Sequence, residues 1–220
     1  MRTNFDKQLK ELNLEIVQMA SNVETAISAA GQGLLMRDVN LAEQAIKMDD
    51  KTNDYERQIE RRCLKLLLHE QPVATDLRKI SSALKMITDM ERIGDHATDI
   101  SEITIDLADV KEIDGETFSH IKLMAEYAVK MLSESVTAYV NDDETLAEKV
   151  IKDDDGVDEL FAKVKNDLIH CIIREKVVGE QAVDMLMIAK YFERIGDHAV
   201  NIAEWVLFSI TGVHKNMQIM

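Results

Sequence analysis

The sequence predicts an all-α protein built from two tandem, pseudo-symmetric three-helix bundles. One proline and eight glycines in 220 residues leave few of the turn signals that β-hairpins and β-sandwiches need. The segment 191–202 repeats eight of the twelve residues of segment 89–100, and 146–155 echoes 41–50 in the same way. Units of roughly a hundred residues are therefore duplicated, and each copy is expected to contain the same elements.

Polar interruptions divide each copy into three long amphipathic helices. The first helix ends at residues 37–40, and Pro72 marks the start of the third, because the first turn of a helix does not need the N–H that proline lacks. In the second copy, residues 141–143 and 178–180 give the corresponding breaks. The predicted helices are 3–36, 40–70, 73–108, 116–140, 143–176 and 180–211.

The six helices are expected to form two elongated bundles that pack side by side. A first repeat over 1–108 and a second over 116–220 are joined by a predicted linker at 109–115. Short connections force neighbouring helices to run antiparallel. The repeats align at an offset of 105 residues in their second helices and 102 in their third. The difference falls at the connection around 70–75, where a loop can absorb it.

The composition is typical of a protein of the reducing cytoplasm. The sequence begins with charged residues and contains no apolar run near the ~18 residues of a membrane span, so no membrane insertion is expected. Its two cysteines lie among aliphatic residues and are predicted to be buried thiols. A formal charge of −15 repels nucleic acid and anionic lipid. A cation or a basic protein surface is therefore the natural partner.

Acidic residues recur along one edge of the third helix of each copy. Glu91, Asp95 and Asp99 follow one another at intervals of four residues, which places them on one helix face. The second copy places three residues in the same way: Glu193, Asp197 and Asn201. Carboxylates at this spacing repel one another, so a positive charge should neutralise them.

The second helix of each copy carries a further pair of oxygen-bearing side chains. The pairs are Asp49 and Asn53 in the first copy and Asp154 and Asp158 in the second. An antiparallel neighbour brings such a pair opposite the acidic edge. Oxygen-rich clusters without cysteine suit magnesium, manganese, calcium or iron better than a structural zinc site, and the residues alone do not choose among these metals.

Surface salt bridges are the alternative explanation of these carboxylates. Arg92 lies three residues before Asp95, the second copy repeats that spacing, and solvated acidic helix faces are common. Repetition of the whole pattern in both halves favours a site. His96 and His198 project about 100° away from the adjacent aspartates. We therefore expect the histidines to have capping or interface roles rather than to bind a metal.

The duplicated motif resembles the signature of the PhoU family of bacterial phosphate-uptake regulators. The likeness rests on Glu91-Arg92-Ile93-Gly94-Asp95-His96, on its copy Glu193-Arg194-Ile195-Gly196-Asp197-His198, and on Asn201-Ile202-Ala203-Glu204 that follows. It extends over essentially the whole chain. The resemblance implies a cytoplasmic negative regulator of phosphate uptake and of the phosphate-starvation response. Such a protein links the ATP-binding subunit of the phosphate ABC transporter to a phosphate-sensor histidine kinase, and a homodimer is the expected assembly.

The resemblance also implies divalent or multinuclear metal centres of iron, zinc, manganese or magnesium, bound through E/D-x-x-x-D motifs. Carried over by position, the first set of ligands is Glu91, Asp95 and Asp99 with Asp49. The second set is Glu193 and Asp197 with Asp154 and Asp158. The sequence departs from a strictly acidic pattern at Asn53 and Asn201, so each half loses one charge and the number of ions at each site stays open.

A non-enzymatic adaptor is the leading functional hypothesis, and no catalytic or nucleotide-binding residue is predicted. The sequence contains no P-loop, G-x-S-x-G, H-E-x-x-H or dinucleotide motif. The alternative is a di-metal carboxylate enzyme in a helical bundle, which would use E-x-x-H pairs that the sequence lacks. A transcription factor would conflict with the acidic charge and the missing basic recognition helix.

Overall fold

Six long helices account for nearly all of the described structure. The computed structural model describes residues 2–70, 72–108, 115–174, 179–214 and 217–218. Within these residues the helices are α1 (Arg2–Met36), α2 (Val39–Glu70), α3 (Ala74–Asp106), α4 (Gly115–Asn141), α5 (Glu144–Ile173) and α6 (Gly179–Thr211). The prediction of an all-α protein with two three-helix repeats is confirmed.

The helix boundaries lie close to those that the sequence predicts. The largest difference is at α5, which ends at Ile173 rather than at 176, and residues 175–178 are outside the described part of the chain. Most of the predicted linker, residues 109–114, is also outside it.

The sequence predicted no strand, yet a two-residue antiparallel ladder follows α6: β1 (Val213–His214) pairs with β2 (Met217–Gln218). Gly212, at φ +79°, ends α6 and turns the chain toward this ladder.

The two repeats share one hydrophobic core. Within each repeat every helix packs on the other two, and the repeats meet along α3 with α6 and along α1 with α4. Helices α2 and α5 therefore lie on the outside of a central group of four. Buried side chains from all six helices form a single cluster. In the described residues, no helix is both long and apolar enough to cross a membrane.

The turns between the first two helices of each repeat are alike in detail. Arg37 and Asp142, 105 residues apart, have left-handed backbone conformations with φ of 54° and 53°. After each, the next backbone N–H bonds back into the preceding helix: Asp38 to the carbonyl of Gly33 and Asp143 to that of Ala138, both at 2.9 Å. The 105-residue offset therefore holds from the first helix into the second.

The repeats meet reciprocally where α3 crosses α6. The Nδ1 atom of His198 lies 2.8 Å from the Oδ1 atom of Asp89. The equivalent pair at the 102-residue offset is His96 and Tyr191, whose rings stack at 5.4 Å, and the two imidazole centroids are 5.6 Å apart. Each histidine thus contacts the same position of the other repeat, as at a two-fold interface. The interface role expected for both histidines is confirmed.

The two cysteines, Cys63 and Cys171, are buried, as predicted. Burial raises the pKa of the Cys63 thiol to about 12, which leaves it unreactive at neutral pH.

Candidate functional site

The glycine of each duplicated motif allows a close approach of two helices. A Cβ atom added to Gly94 would lie 3.2 Å from the Cγ2 atom of Thr52 on α2. A Cβ atom added to Gly196 would lie 3.1 Å from the Oδ1 atom of Asp154 on α5. Both separations are tighter than ordinary van der Waals contact. The glycines therefore bring the acidic edge of the third helix against the oxygen-bearing pair of the second.

The first acidic cluster consists of Asp49 and Asn53 on α2 with Glu91 and Asp95 on α3. The Nδ2 atom of Asn53 donates to the Oδ2 atom of Asp49 at 2.9 Å. The other carboxylate oxygen of Asp49 is buried and accepts no hydrogen bond from the described residues. Burial, followed by the negative charge of Asp95, raises the pKa of both Asp49 and Glu91. Asp49 is thus a half-buried carboxylate, and its buried Oδ1 atom is available to a cation.

The second acidic cluster consists of Asp154 and Asp158 on α5 with Glu193 and Asp197 on α6. Burial, followed by the charges of Asp197 and Asp158, raises the pKa of Asp154 to about 6. Glu193 pairs with Lys190 in the preceding helical turn. The central carboxylate of this cluster therefore binds a proton far more readily than an exposed aspartate does.

Basic side chains neutralise these clusters only in part. Arg92 contacts Asp95 (Nη1 to Oδ2, 3.1 Å) and Glu91 (Nε to Oε2, 3.5 Å) from a largely exposed position. The analogous pair expected from Arg194 to Asp197 is not formed among the described residues. Neither Asp49 nor Asp154 has an ion pair within the same residues. Salt bridges therefore account for Glu91, Asp95 and Glu193, and the two central aspartates have no basic partner among the described residues.

Two of the residues predicted to bind metal lie toward the interface between the repeats. The Oδ2 atom of Asp99 is 3.2 Å from the Nδ1 atom of His96. Asn201 Nδ2 donates to the Oδ1 atom of Asp89 at 3.3 Å. Asp89 thus bonds both Asn201 and His198, a role that the acidic stripes of the sequence did not indicate. The available signal was that Asp89 is one of the few positions at which the two motif copies differ.

The donor chemistry of the clusters fits a hard divalent cation. Carboxylate and amide oxygens are the ligands that magnesium, manganese and calcium prefer, and the unpartnered oxygen of Asp49 is such a donor. Nevertheless, no three His, Cys, Asp or Glu side chains converge as an ion would require in the part of the chain that is described. The residues present therefore fit a cation by type and by helix placement, without the geometry of a formed coordination shell.

Comparison with known proteins identifies relatives over nearly the whole chain. The PhoU domain model matches twice, at residues 16–104 and 121–206. A phosphate-specific transport system accessory protein PhoU homolog of Clostridium acetobutylicum is 36% identical over 216 residues, 96% of each chain. The Aquifex aeolicus homolog of the same name is also 36% identical, over 86% of this chain and 84% of its own.

Solved structures share the architecture. The crystal structure of PhoU from Pseudomonas aeruginosa superposes with a TM-score of 0.89 at 30% identity, over 95% of this chain and 100% of that one. The phosphate transport system regulatory protein PhoU from Streptococcus pneumoniae gives a TM-score of 0.88 at 24% identity, over 97% and 100% of the two chains. The second likeness concerns the fold alone.

Proposed function

The chain belongs to the PhoU family, and we propose that it is a cytoplasmic accessory regulator that restrains phosphate uptake and the phosphate-starvation response. The observation that carries this proposal is the double match to the PhoU domain over both repeats. Relatives that align with nearly the whole chain are described as accessory proteins of phosphate-specific transport systems.

The proposed mode of action is contact with other proteins rather than catalysis. The two partners are the ATP-binding subunit of the phosphate ABC transporter and the phosphate-sensor histidine kinase. Net charge of −15 supports attraction to basic surfaces on these partners, which speeds encounter and selects the partner more than it adds affinity. The chain itself would act as a homodimer.

We further propose that the acidic clusters hold divalent or multinuclear metal, of iron, zinc, manganese or magnesium. The first site would use Asp49, Asn53, Glu91 and Asp95, with Asp99 at its edge. The metal would supply the positive charge that the clusters lack. Asp49 supports this assignment most directly, because its buried Oδ1 atom has no hydrogen-bond partner among the described residues.

The second site would use the equivalent side chains of the other repeat. These are Asp154, Asp158, Glu193 and Asp197, with Asn201 at the edge. The raised pKa of Asp154 supports a site there, because a cation would relieve the repulsion that now favours the protonated carboxyl. Each cluster joins an outer helix to a central one, α2 to α3 in the first repeat and α5 to α6 in the second.

A reporter of phosphate starvation in a strain deleted for this chain tests the regulatory role. In phosphate-rich medium the reporter should be strongly expressed in the deletion strain and silent in the parent, because the kinase would signal as if phosphate were scarce. Re-expression of the chain should silence it again. A reporter that stays silent in the deletion strain would refute the regulatory assignment.

A further inference from the structure

A cationic groove lies between α1 and α2, on the outside of the first repeat. Its volume is about 520 Å³, within the range of small-molecule sites. Four basic and two acidic side chains line it: Arg57, Arg61, Arg62, Lys65, Glu15 and Asp54. The lining therefore has an excess of two positive charges, on a chain whose net charge is −15.

Three of the basic residues form a stripe along α2. Arg57, Arg61 and Lys65 follow one another at intervals of four residues, which puts them on one face over about 12 Å. All three side chains are exposed. Arg57 pairs with Asp54 at 2.7 Å, at a site where both partners are well solvated and the pair contributes little. Arg61 and Lys65 form no ion pair with the described residues.

The fourth basic residue is fixed in the wall of the groove. Arg62 makes a two-pronged ion pair with Glu15, from Nε to Oε2 at 2.6 Å and from Nη2 to Oε1 at 2.7 Å. Its Nη1 atom also donates to Glu11 at 2.7 Å, and Gln58 donates to Glu15 at 2.8 Å. Glu15 is only 6% exposed. Two carboxylates therefore neutralise the charge of Arg62. The positive charge available to a ligand comes from the three residues of the stripe.

The second repeat shows that the fold does not require this stripe. At the 105-residue offset, the stripe positions are Ala162, Asn166 and His170, which are likewise exposed. The Glu15–Arg62 pair has a counterpart there, because His120 Nδ1 lies 2.7 Å from the Oδ2 atom of Asp167. The fold thus keeps a pair across these helices in both repeats, whereas the three exposed cations belong to the first repeat alone.

We propose that this groove binds a small anion that contains several phosphate groups in a chain. Guanidinium groups bind phosphate oxygens through two parallel hydrogen bonds, and an ammonium adds a point charge. The three cations of the stripe are spread over about 12 Å. A single phosphate can therefore contact one or two of them, whereas a chain of phosphates can contact all three. An inorganic oligophosphate and the phosphate tail of a nucleotide share this chemistry.

Titration calorimetry of the full chain with inorganic tripolyphosphate tests the proposal. Metal is first removed with a chelator, which is then separated from the protein, so that the acidic clusters cannot bind the probe through a metal ion. Wild type should bind tripolyphosphate at least tenfold more tightly than orthophosphate. The triple variant Arg57→Gln, Arg61→Gln, Lys65→Gln should lose at least tenfold in affinity and keep its helical circular dichroism.

The matched control removes three exposed lysines from α5 instead: Lys152→Gln, Lys163→Gln, Lys165→Gln. Its affinity should stay within twofold of wild type, because only the net charge has changed. ATP that binds as tightly as tripolyphosphate would identify the phosphate chain as the recognised group, and ATP that binds tenfold more tightly would identify a nucleotide as the source.

Three outcomes would overturn the proposal. The first is no binding of any phosphate probe to wild type. The second is an equal loss of affinity in both triple variants, which would indicate attraction to net charge alone. The third is tighter binding of an oligoglutamate peptide than of tripolyphosphate, which would assign the groove to an acidic protein segment.

Discussion

The two acidic clusters occupy equivalent places in the two repeats but differ at one of their four side chains. Asn53 stands in the first cluster where Asp158 stands in the second. The amide of Asn53 donates to Asp49 and stabilises its ionised form, whereas the carboxylate of Asp158 repels Asp154 and helps to raise its pKa to about 6. Replacement of an amide by a carboxylate thus changes how strongly the central aspartate holds a proton, with the helices unchanged.

The interhelical ion pairs on the other side of each repeat also show different charged residues at equivalent positions. Glu15 and Arg62 join α1 to α2, and His120 and Asp167 join α4 to α5 with the acid and base exchanged. The position of the pair is kept and its polarity is reversed. Packing and turns define the repeat, and the charged residues on that frame give its two copies different chemistry.

Metal binding is where we expect the largest effect. The double variant Asp95→Asn, Asp197→Asn should lose most of its bound divalent metal, because it removes a carboxylate ligand from each cluster. Each single variant should lose only the metal of its own repeat. Elemental analysis after extensive dialysis measures this, with helix content by circular dichroism unchanged.

The control for the metal experiment is Glu148→Gln with Glu159→Gln. These residues are exposed on α5 and lie outside both clusters, so the variant should retain its metal. Equal metal content in the wild type, the double variant and the control would favour salt bridges as the role of the acidic stripes.

Removal of the basic partner from the buried ion pair of the first repeat should also have a large effect. Arg62→Ala leaves Glu15 buried without its guanidinium and should cost about 3 kcal/mol. Asp167→Ala should cost less, about 1 kcal/mol, because His120 makes one hydrogen bond to Asp167, whereas Arg62 makes two to Glu15. Urea denaturation at pH 7 measures the two losses. Equal losses would show that the pairs are interchangeable despite their reversed polarity.

The motif glycines should tolerate larger side chains poorly. Gly94→Val places new atoms against Thr52 and should lower the free energy of unfolding by about 1–3 kcal/mol. Gly196→Val should do the same and should also displace Asp154, with partial loss of metal from the second cluster. Gly179→Val is the matched control, because nothing lies within 4 Å of a Cβ atom there. A destabilisation of the control as large as that of Gly94→Val would contradict the close-approach argument.

The pH dependence of stability should differ between the two clusters in metal-free protein. The pKa of Asp154 is raised in the folded state from 3.8 to about 6, so the native protein holds the proton that the unfolded chain releases between these values. Stability is therefore lost as pH rises through this window, by about 1–2 kcal/mol after allowance for solvent screening.

Asp154→Asn should remove that part of the pH profile. Asp49→Asn should have a smaller effect, because the hydrogen bond from Asn53 opposes the rise in the Asp49 pKa. Unfolding free energies at several pH values between 4 and 7 provide the test. Profiles of wild type and Asp154→Asn that stay parallel across this range would contradict it.

Much of the fold could be predicted from the sequence because it depends on repeated local patterns. Apolar periodicity and polar breaks located the helices, and the two repeat offsets aligned them. The pairing of α2 with α3 followed from short connections, so Asp49 could be placed opposite Asp95. The boundary between the repeats as separate domains stays a prediction, because most of the linker lies outside the described residues.

Contacts that depend on how helices rotate about their axes could not be predicted. The bond of His198 to Asp89 and the ion pair of Glu15 with Arg62 join residues more than forty positions apart in helices whose facing sides the periodicity does not define. The edge positions of Asp99 and Asn201 have the same origin. The three basic residues of the cationic stripe, which the second copy lacks, can be seen in the sequence. The groove beside them cannot, because it forms only where α1 packs on α2.

A pull-down of the phosphate transporter ATP-binding subunit and of the sensor-kinase cytoplasmic domain at graded salt tests whether this chain acts by contact with those partners. Both should be retained at low salt, and retention should weaken as added salt shortens the screening length below about 8–10 Å. Salt-insensitive binding would refute only the electrostatic part and would indicate an apolar contact. Retention of neither partner at any salt concentration would contradict the claim that this chain regulates phosphate uptake by contact.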